Sequence, residues 1–311
     1  MSKLCAGLVL ALTTLIPLAG NAEVAAGGLP DNTIWYLHAD LDAMRKSDAG
    51  SAVYKWFEGE VVVEVKDEIG IDISKEVDSI TAFAGPDNST IVIVSGPMTQ
   101  TTQEKLLALA ASRGPVDPRE FKGDTYYFFG EEDDIDDNGD QPFEDLNEAV
   151  FVSFAVKDKA LIAGTEAQMK ELLENKGKVS GAGSHSGALL VLSANKTLVQ
   201  AGMNTDSIMD ADDDDDDWES NIVRNTKQAA LLMADESGQL AIEAKLESTD
   251  PKMAQAIGGI VNGLIALQAF NSELGPEIQG LMRNTKVDVL ENILSINMVI
   301  DPGLIVSMLN D

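Results

Sequence analysis

The stretch Gln228-Ala229-Ala230-Leu231-Leu232-Met233-Ala234-Asp235-Glu236-Ser237-Gly238-Gln239-Leu240-Ala241-Ile242-Glu243-Ala244-Lys245-Leu246 decides the fold. Two apolar runs, 228–234 and 239–246, are joined by Asp235-Glu236-Ser237-Gly238, four residues that favour turns. Such a pattern predicts an antiparallel hairpin. On its C-terminal side, Asp250-Pro251 opens a helix running to about Phe270, with Pro251 suited to the first helical position. A second hairpin, 287–290 and 293–300 across Glu291-Asn292, follows, and Asp301-Pro302 starts a short last helix. On its N-terminal side, residues 188–193 read as a strand and a short helix is expected from Asn195.

The same succession is expected earlier in the chain. Residues 33–40 read as a strand, and residues 51–69 carry near-helical apolar spacing at Val53, Trp56, Phe57, Val61 and Val65. Residues 79–85 and 90–95 form a hairpin across Pro86-Asp87-Asn88. A helix over 101–112 starts near Thr101 or Thr102, and a strand covers 125–129. A hairpin joins 150–156 to 160–163, and Thr165 caps a helix ending at Gly177. Both halves thus run strand, helix, hairpin, helix, hairpin, helix. The expected class is α+β: two similar halves, each a mostly antiparallel sheet with helices on one face, in β-α-β-β-α-β-like order plus a terminal hairpin and helix.

Residues 1–22 have the three parts of a secretory signal: Lys3, an apolar stretch from Leu4 to Ala19, and Gly20-Asn21-Ala22 as the cleavage site. The apolar run is short for a bilayer span, which needs about 20 apolar residues. The expected organisation is therefore a signal peptide at 1–22, a first α/β repeat at 23–178 with an acidic loop at 131–145, a Gly/Ser connector at 179–187, and a second repeat at 188–311 with an Asp-rich loop at 210–217. Cleavage after Ala22 removes Cys5, the only cysteine, and with it disulfides and thiol chemistry. The expected location is periplasmic or extracellular, with no transmembrane segment in the mature chain.

After cleavage 21 basic residues face 52 acidic ones, a net charge of −31. A field of that sign repels nucleic acid and anionic lipid. Expected partners are a protein or small-molecule ligand, with cations, basic proteins and neutral molecules all compatible.

Candidate sites are few. Asp134-Ile135-Asp136-Asp137-Asn138-Gly139-Asp140 matches the D-x-[DN]-x-[DN]-G core of a calcium loop, and its twelfth position falls on Asp145. Alternating hard oxygens on a tight loop wrap calcium, with Asp134, Asp136 and Asn138 binding through side chains, Asp140 through its carbonyl and Asp145 closing the loop. The closing Asp and the polar Gln141 depart from an EF-hand. Residues 212–217 are six adjacent aspartates with no glycine to shape a site, so they read as a solvated loop. His38 and His185, the only histidines, leave a Ser-His-Asp triad little to work with. Residues 253–270 carry no charge, and Gly258, Gly259 and Gly263 give a small-residue face; the expected place for this helix is against a sheet.

The sequence reading is an exported, acidic, non-enzymatic binding or interaction protein. A calcium-binding protein is one alternative. A carboxylate-dependent hydrolase is another, which would need two acids in one cleft. The calcium alternative makes a direct prediction. Thermal unfolding in millimolar calcium, against EDTA and magnesium, should show a calcium-specific rise that Asp134→Ala/Asp136→Ala abolishes, because binding to the native state stabilises it by mass action. Equal responses to both ions would reduce the loop to solvated surface.

Overall fold

The computed structural model describes residues 33–85, 89–112, 114–130, 150–179, 187–196, 224–271 and 275–310. The chain is α+β, with antiparallel sheet and helices, and divides into two compact units. The first unit is drawn from residues 25–46 and 51–184, the second from 47–50 and 185–311.

Among its described residues the first unit has seven strands: β1 (Trp35–Asp40), β2 (Ser79–Ala84), β3 (Thr90–Ser95), β4 (Val116–Phe121), β5 (Asp124–Phe129), β6 (Val150–Ser153) and β7 (Lys159–Ala163). They lie in the order β1-β2-β3-β7-β6-β5-β4 and pair antiparallel throughout. Register carries one row of core side chains straight across: Tyr36 opposite Phe83, Phe83 opposite Ile91, Ile91 opposite Ala163, Ala163 opposite Phe151, and Phe151 opposite Phe128. All six are buried. Side chains alternate faces with period two, so a one-residue slip anywhere along this row would turn it out to solvent. β4 ends the order, and Pro118 sits there because only an edge strand tolerates the missing N–H.

The helices of this unit differ from the sequence expectation. Helix begins earlier, at Leu41–Lys46, and continues from Asp48–Phe57 into a π-helical turn, Glu58–Val62, before Val63–Ile69. The irregular turn falls at Gly59 and on the β-branched run 61–63, where crowding disfavours a regular helix. The helix expected to start near Thr101 or Thr102 runs from Gln100 to Ala111 and is capped by Thr99, whose hydroxyl accepts from the Thr102 amide at 3.2 Å. Thr165 and Gln168 close a reciprocal capping box on the Glu166–Glu174 helix, as the expected cap at Thr165 requires.

The second unit contains β8 (Ala188–Asn195), β9 (Thr226–Glu236), β10 (Gln239–Ser248), β11 (Lys286–Leu290) and β12 (Ile293–Ile300), in the order β8-β9-β10-β12-β11. Asn195 ends this strand and Lys196 is helical, next to the expected helix start; residues 197–223, where that helix would continue, lie outside the described residues. The hairpin turn between β9 and β10 is two residues, not four: Ser237 and Gly238 both take positive φ, at 57° and 84°. That is the geometry that matches strand twist. Asp235 lies in the strand instead, its carboxylate accepting from the amides of Gly238 at 3.0 Å and Ala49 at 2.8 Å. Burial pushes this carboxylate's pKa up, but those hydrogen bonds and one from Ser47 hold it below the ordinary range.

The Pro251–Gln268 helix packs on β10, β12 and β11. Asp250 caps it, accepting from the amides of Lys252 at 2.8 Å and Met253 at 3.0 Å. Ala254, Ile257 and Gly258 are buried against the sheet. A methyl group at Gly258 would lie 2.7 Å from Val289 Cγ2 and 3.3 Å from Leu294 Cδ1, so the glycine sets how close the helix comes. A further helix, Pro276–Asn284, was not expected from the sequence.

The neighbouring glycines should respond with opposite sign. Gly258→Val forces the helix off β11 and β12 and should cost about 1–3 kcal/mol. Gly259 has nothing within 4 Å of a built Cβ. Gly259→Ala should therefore stabilise by about 0.5–1 kcal/mol, through helix propensity. Denaturant midpoints of the two variants check this; equal shifts would contradict the seating.

Candidate functional site

Asp134, Asp136, Asn138, Asp140 and Asp145 lie outside the described residues, as do His185, the aspartates at 212–217, residues 1–22 and residues 180–186 of the connector. Among the described residues, no group of three or more His, Cys, Asp or Glu side chains could hold a metal ion. His38 pairs across β1 and β2, its Nδ1 lying 2.9 Å from Thr81 Oγ1, directly opposite in register. Burial pushes its pKa below the ordinary imidazole value, while Asp40 pulls the other way. It is thus an imidazole bonded within the sheet.

One polar cluster escaped the sequence reading. Arg119 on edge strand β4 lies over Phe128 at 4.8 Å and Phe151 at 5.8 Å, so its guanidinium covers the outer end of the core row. It pairs with Asp117 at 2.8 Å and Glu166 at 3.4 Å. Glu166, from the first turn of its helix, also accepts from the Tyr126 hydroxyl at 2.5 Å and pairs with Lys170 at 3.1 Å. The Tyr126 bond leads in holding the Glu166 carboxyl below its usual range, with Lys170 and Arg119 adding to it against burial. Burial, with Glu166 second, pushes Tyr126 up to about 12. Every member is engaged by another, so the cluster fastens helix to sheet edge. Lys122-Gly123 between Phe121 and the aromatic run 126–129 was the available turn signal for this hairpin, and Pro118 with its polar neighbours obscured the first strand.

An open polar depression of about 510 Å³ lies beside this region, with Gln103, Glu104, Asp124 and Tyr127 in its lining. Glu104 accepts from Gln100 at 2.9 Å, and Asp124 pairs with Lys176 at 2.9 Å. An open, polar-lined hollow suits water better than a buried apolar ligand.

The second unit offers a different surface. The Pro251–Gln268 helix is apolar on its outer side as well as its inner one. Ile260 (37% exposed), Leu264 (44%), Leu267 (72%) and the following Phe270 (82%) face solvent. Gly259 and Gly263 share that side, each with open space where a Cβ would stand. The expected burial of this helix against a sheet therefore describes one face only. A helix that is hydrophobic all round normally has both faces covered. Among the described residues, no helix is long and apolar enough to cross a membrane.

The Glu166 cluster makes a pH prediction. A carboxyl whose folded pKa lies below its unfolded value stabilises above the ordinary carboxylate range, and the contribution is lost as pH falls through the folded value. Glu166→Gln should therefore lower stability at pH 7, with the deficit closing below about pH 4. The side chain is 35% exposed. Solvent screening should therefore hold the deficit to about 1 kcal/mol. Denaturant melts at both pH values check it, and a deficit that widens in acid would contradict the assigned hydrogen bonding.

No known family model matches the chain, and no curated protein matches it. Among solved structures it is similar to TP0453. Crystal form IV aligns at 12% identity with a TM-score of 0.47, covering 97% of this chain and 99% of that one. Crystal form III aligns at 12% identity with a TM-score of 0.46, covering 93% and 99%.

Proposed function

We propose that this chain is an exported, non-enzymatic interaction protein that presents the outer face of the Pro251–Gln268 helix to a partner. The carrying observation is the exposure of Ile260, Leu264, Leu267 and Phe270 along a segment without a charged side chain. Contiguous exposed apolar side chains are uncommon on a lone soluble chain and mark interaction sites. In a chain of net charge −30, an uncharged strip is also where a second surface meets least repulsion. The fitting partner is a protein with an apolar patch and a neutral or basic surround.

The strand orders support a duplication behind this arrangement. β1-β2-β3-β7-β6 and β8-β9-β10-β12-β11 follow one succession, with the β4–β5 hairpin added in the first. In that reading the Gln100–Ala111 helix, which carries Glu104 and Lys105, corresponds to the Pro251–Gln268 helix, which carries no charge beyond Lys252 in its first turn. The second half has exchanged a polar helix surface for an adhesive one.

Leu264→Ser/Leu267→Ser tests the reading. Both side chains are largely exposed, so stability should stay within about 0.5 kcal/mol of the parent for each change. Fluorescence enhancement of an apolar dye should fall severalfold. Unchanged dye binding, or a variant that unfolds, would contradict an open apolar face.

A further inference from the structure

We infer that the β11 edge of the second unit is a self-association surface, and that its occupant is β11 of a second copy of this chain. This goes beyond the helix-face reading and rests on different residues. β11 ends the strand order, and among the described residues no strand lies beyond it. The Asn292 carbonyl accepts from the Ser248 amide of β10 at 2.8 Å. Alternation along β12 then directs the backbone groups of Leu294 and Ile296 toward β10, and those of Ile293, Ser295 and Asn297 toward β11. Their register partners Leu290, Asp288 and Lys286 bond inward. The N–H and C=O groups of Val287 and Val289 consequently face away from the sheet.

Those groups can pair with a second β11 in more than one register, and the charges select among them. A two-fold axis perpendicular to the sheet, placed at Val287, sets Val287 opposite its symmetry mate, and the two exchange both N–H···O=C bonds. Thr285 comes opposite Val289 of the other copy. The Thr285 amide is already given to the Met282 carbonyl, its backbone is extended at φ −62° and ψ 132°, and its own carbonyl receives the Val289 amide. Lys286 falls opposite Asp288 of the other copy, twice by symmetry, and both side chains are exposed. Shifting the axis by one residue places Asp288 against Asp288, which repels. The segment Lys286-Val287-Asp288 is thus complementary to itself in a register that also satisfies the backbone, and its charges favour that register over the neighbouring one. Exposed Leu290 lies at the end of the same strand. Charged edge strands often guard against pairing, but a guard works by repulsion, whereas these charges attract when the strand meets its own copy.

The test is sedimentation of the purified chain from about 1 μM to about 1 mM. The parent should show a reversible monomer–dimer equilibrium. Lys286→Asp and Asp288→Lys, each of which makes the cross-strand pairs like-charged, should weaken it about tenfold or more. The double swap Lys286→Asp/Asp288→Lys rebuilds both pairs in reverse and should restore the parental equilibrium. Circular dichroism melts should be unchanged in all three, since both side chains are exposed. A parent that stays monomeric would overturn the inference. So would a dimer indifferent to the single swaps, or a double swap no better than either single. Leu264→Ser/Leu267→Ser leaves β11 untouched, so a dimer lost there alone would assign self-association to the helix face instead.

Discussion

The closeness of the Pro251–Gln268 helix to the β11–β12 hairpin is the constraint on which the second unit depends. Gly258 has no side chain, so Val289 and Leu294 reach the helix backbone. With that contact made, Ala254 and Ile257 enter the core, and Leu264, Leu267 and Phe270 are turned outward. A bulkier residue at this one position would lift the helix and loosen both consequences together. The exposed apolar side is thus the other half of a seating whose inner half is well packed.

In the first unit the corresponding constraint is register. A single row from Tyr36 to Phe128 crosses six strands, and its outer end would meet water at β4. Arg119 resolves this. Its guanidinium is weakly hydrated and planar, so it lies on Phe128 and Phe151 while its edge bonds Asp117 and Glu166. A lysine could supply the charge but neither the stacking nor the fork. The first unit closes its free end with a bonded ion cluster; in the second, no strand among the described residues lies beyond β11, and the backbone N–H and C=O groups of Val287 and Val289 face outward.

Much of this was legible in the sequence, for identifiable reasons. The β9–β10 hairpin stood out because two apolar runs met at Ser237-Gly238, although Asp235 and Glu236 proved to be strand. Thr165 announced its helix because Gln168 completes the cap. β4 was hidden because Pro118 reads as a breaker and four of its six residues are polar or proline; only its edge position makes it a strand. The Pro276–Asn284 helix was hidden behind Gly275-Pro276, which also reads as a break, though proline is well placed at a helix start. The three glycines of the long helix looked like one small-residue face. Packing separates them, with Gly258 inward and Gly259 and Gly263 outward. Periodicity cannot make that distinction when both sides of a helix are apolar.

The central claim is that the outer face of this helix is open in the isolated chain and covered when the protein is at work. Cys5 is the only cysteine, so single thiols can be placed at will. The decisive measurement is the thiol-labelling rate of Leu267→Cys against Ile257→Cys, in purified protein and in the cells that express it. The account predicts fast labelling at 267 and slow labelling at 257 in purified protein, with position 267 specifically protected in the cell. Slow labelling at 267 in the purified chain, or equal rates in both settings, would contradict it.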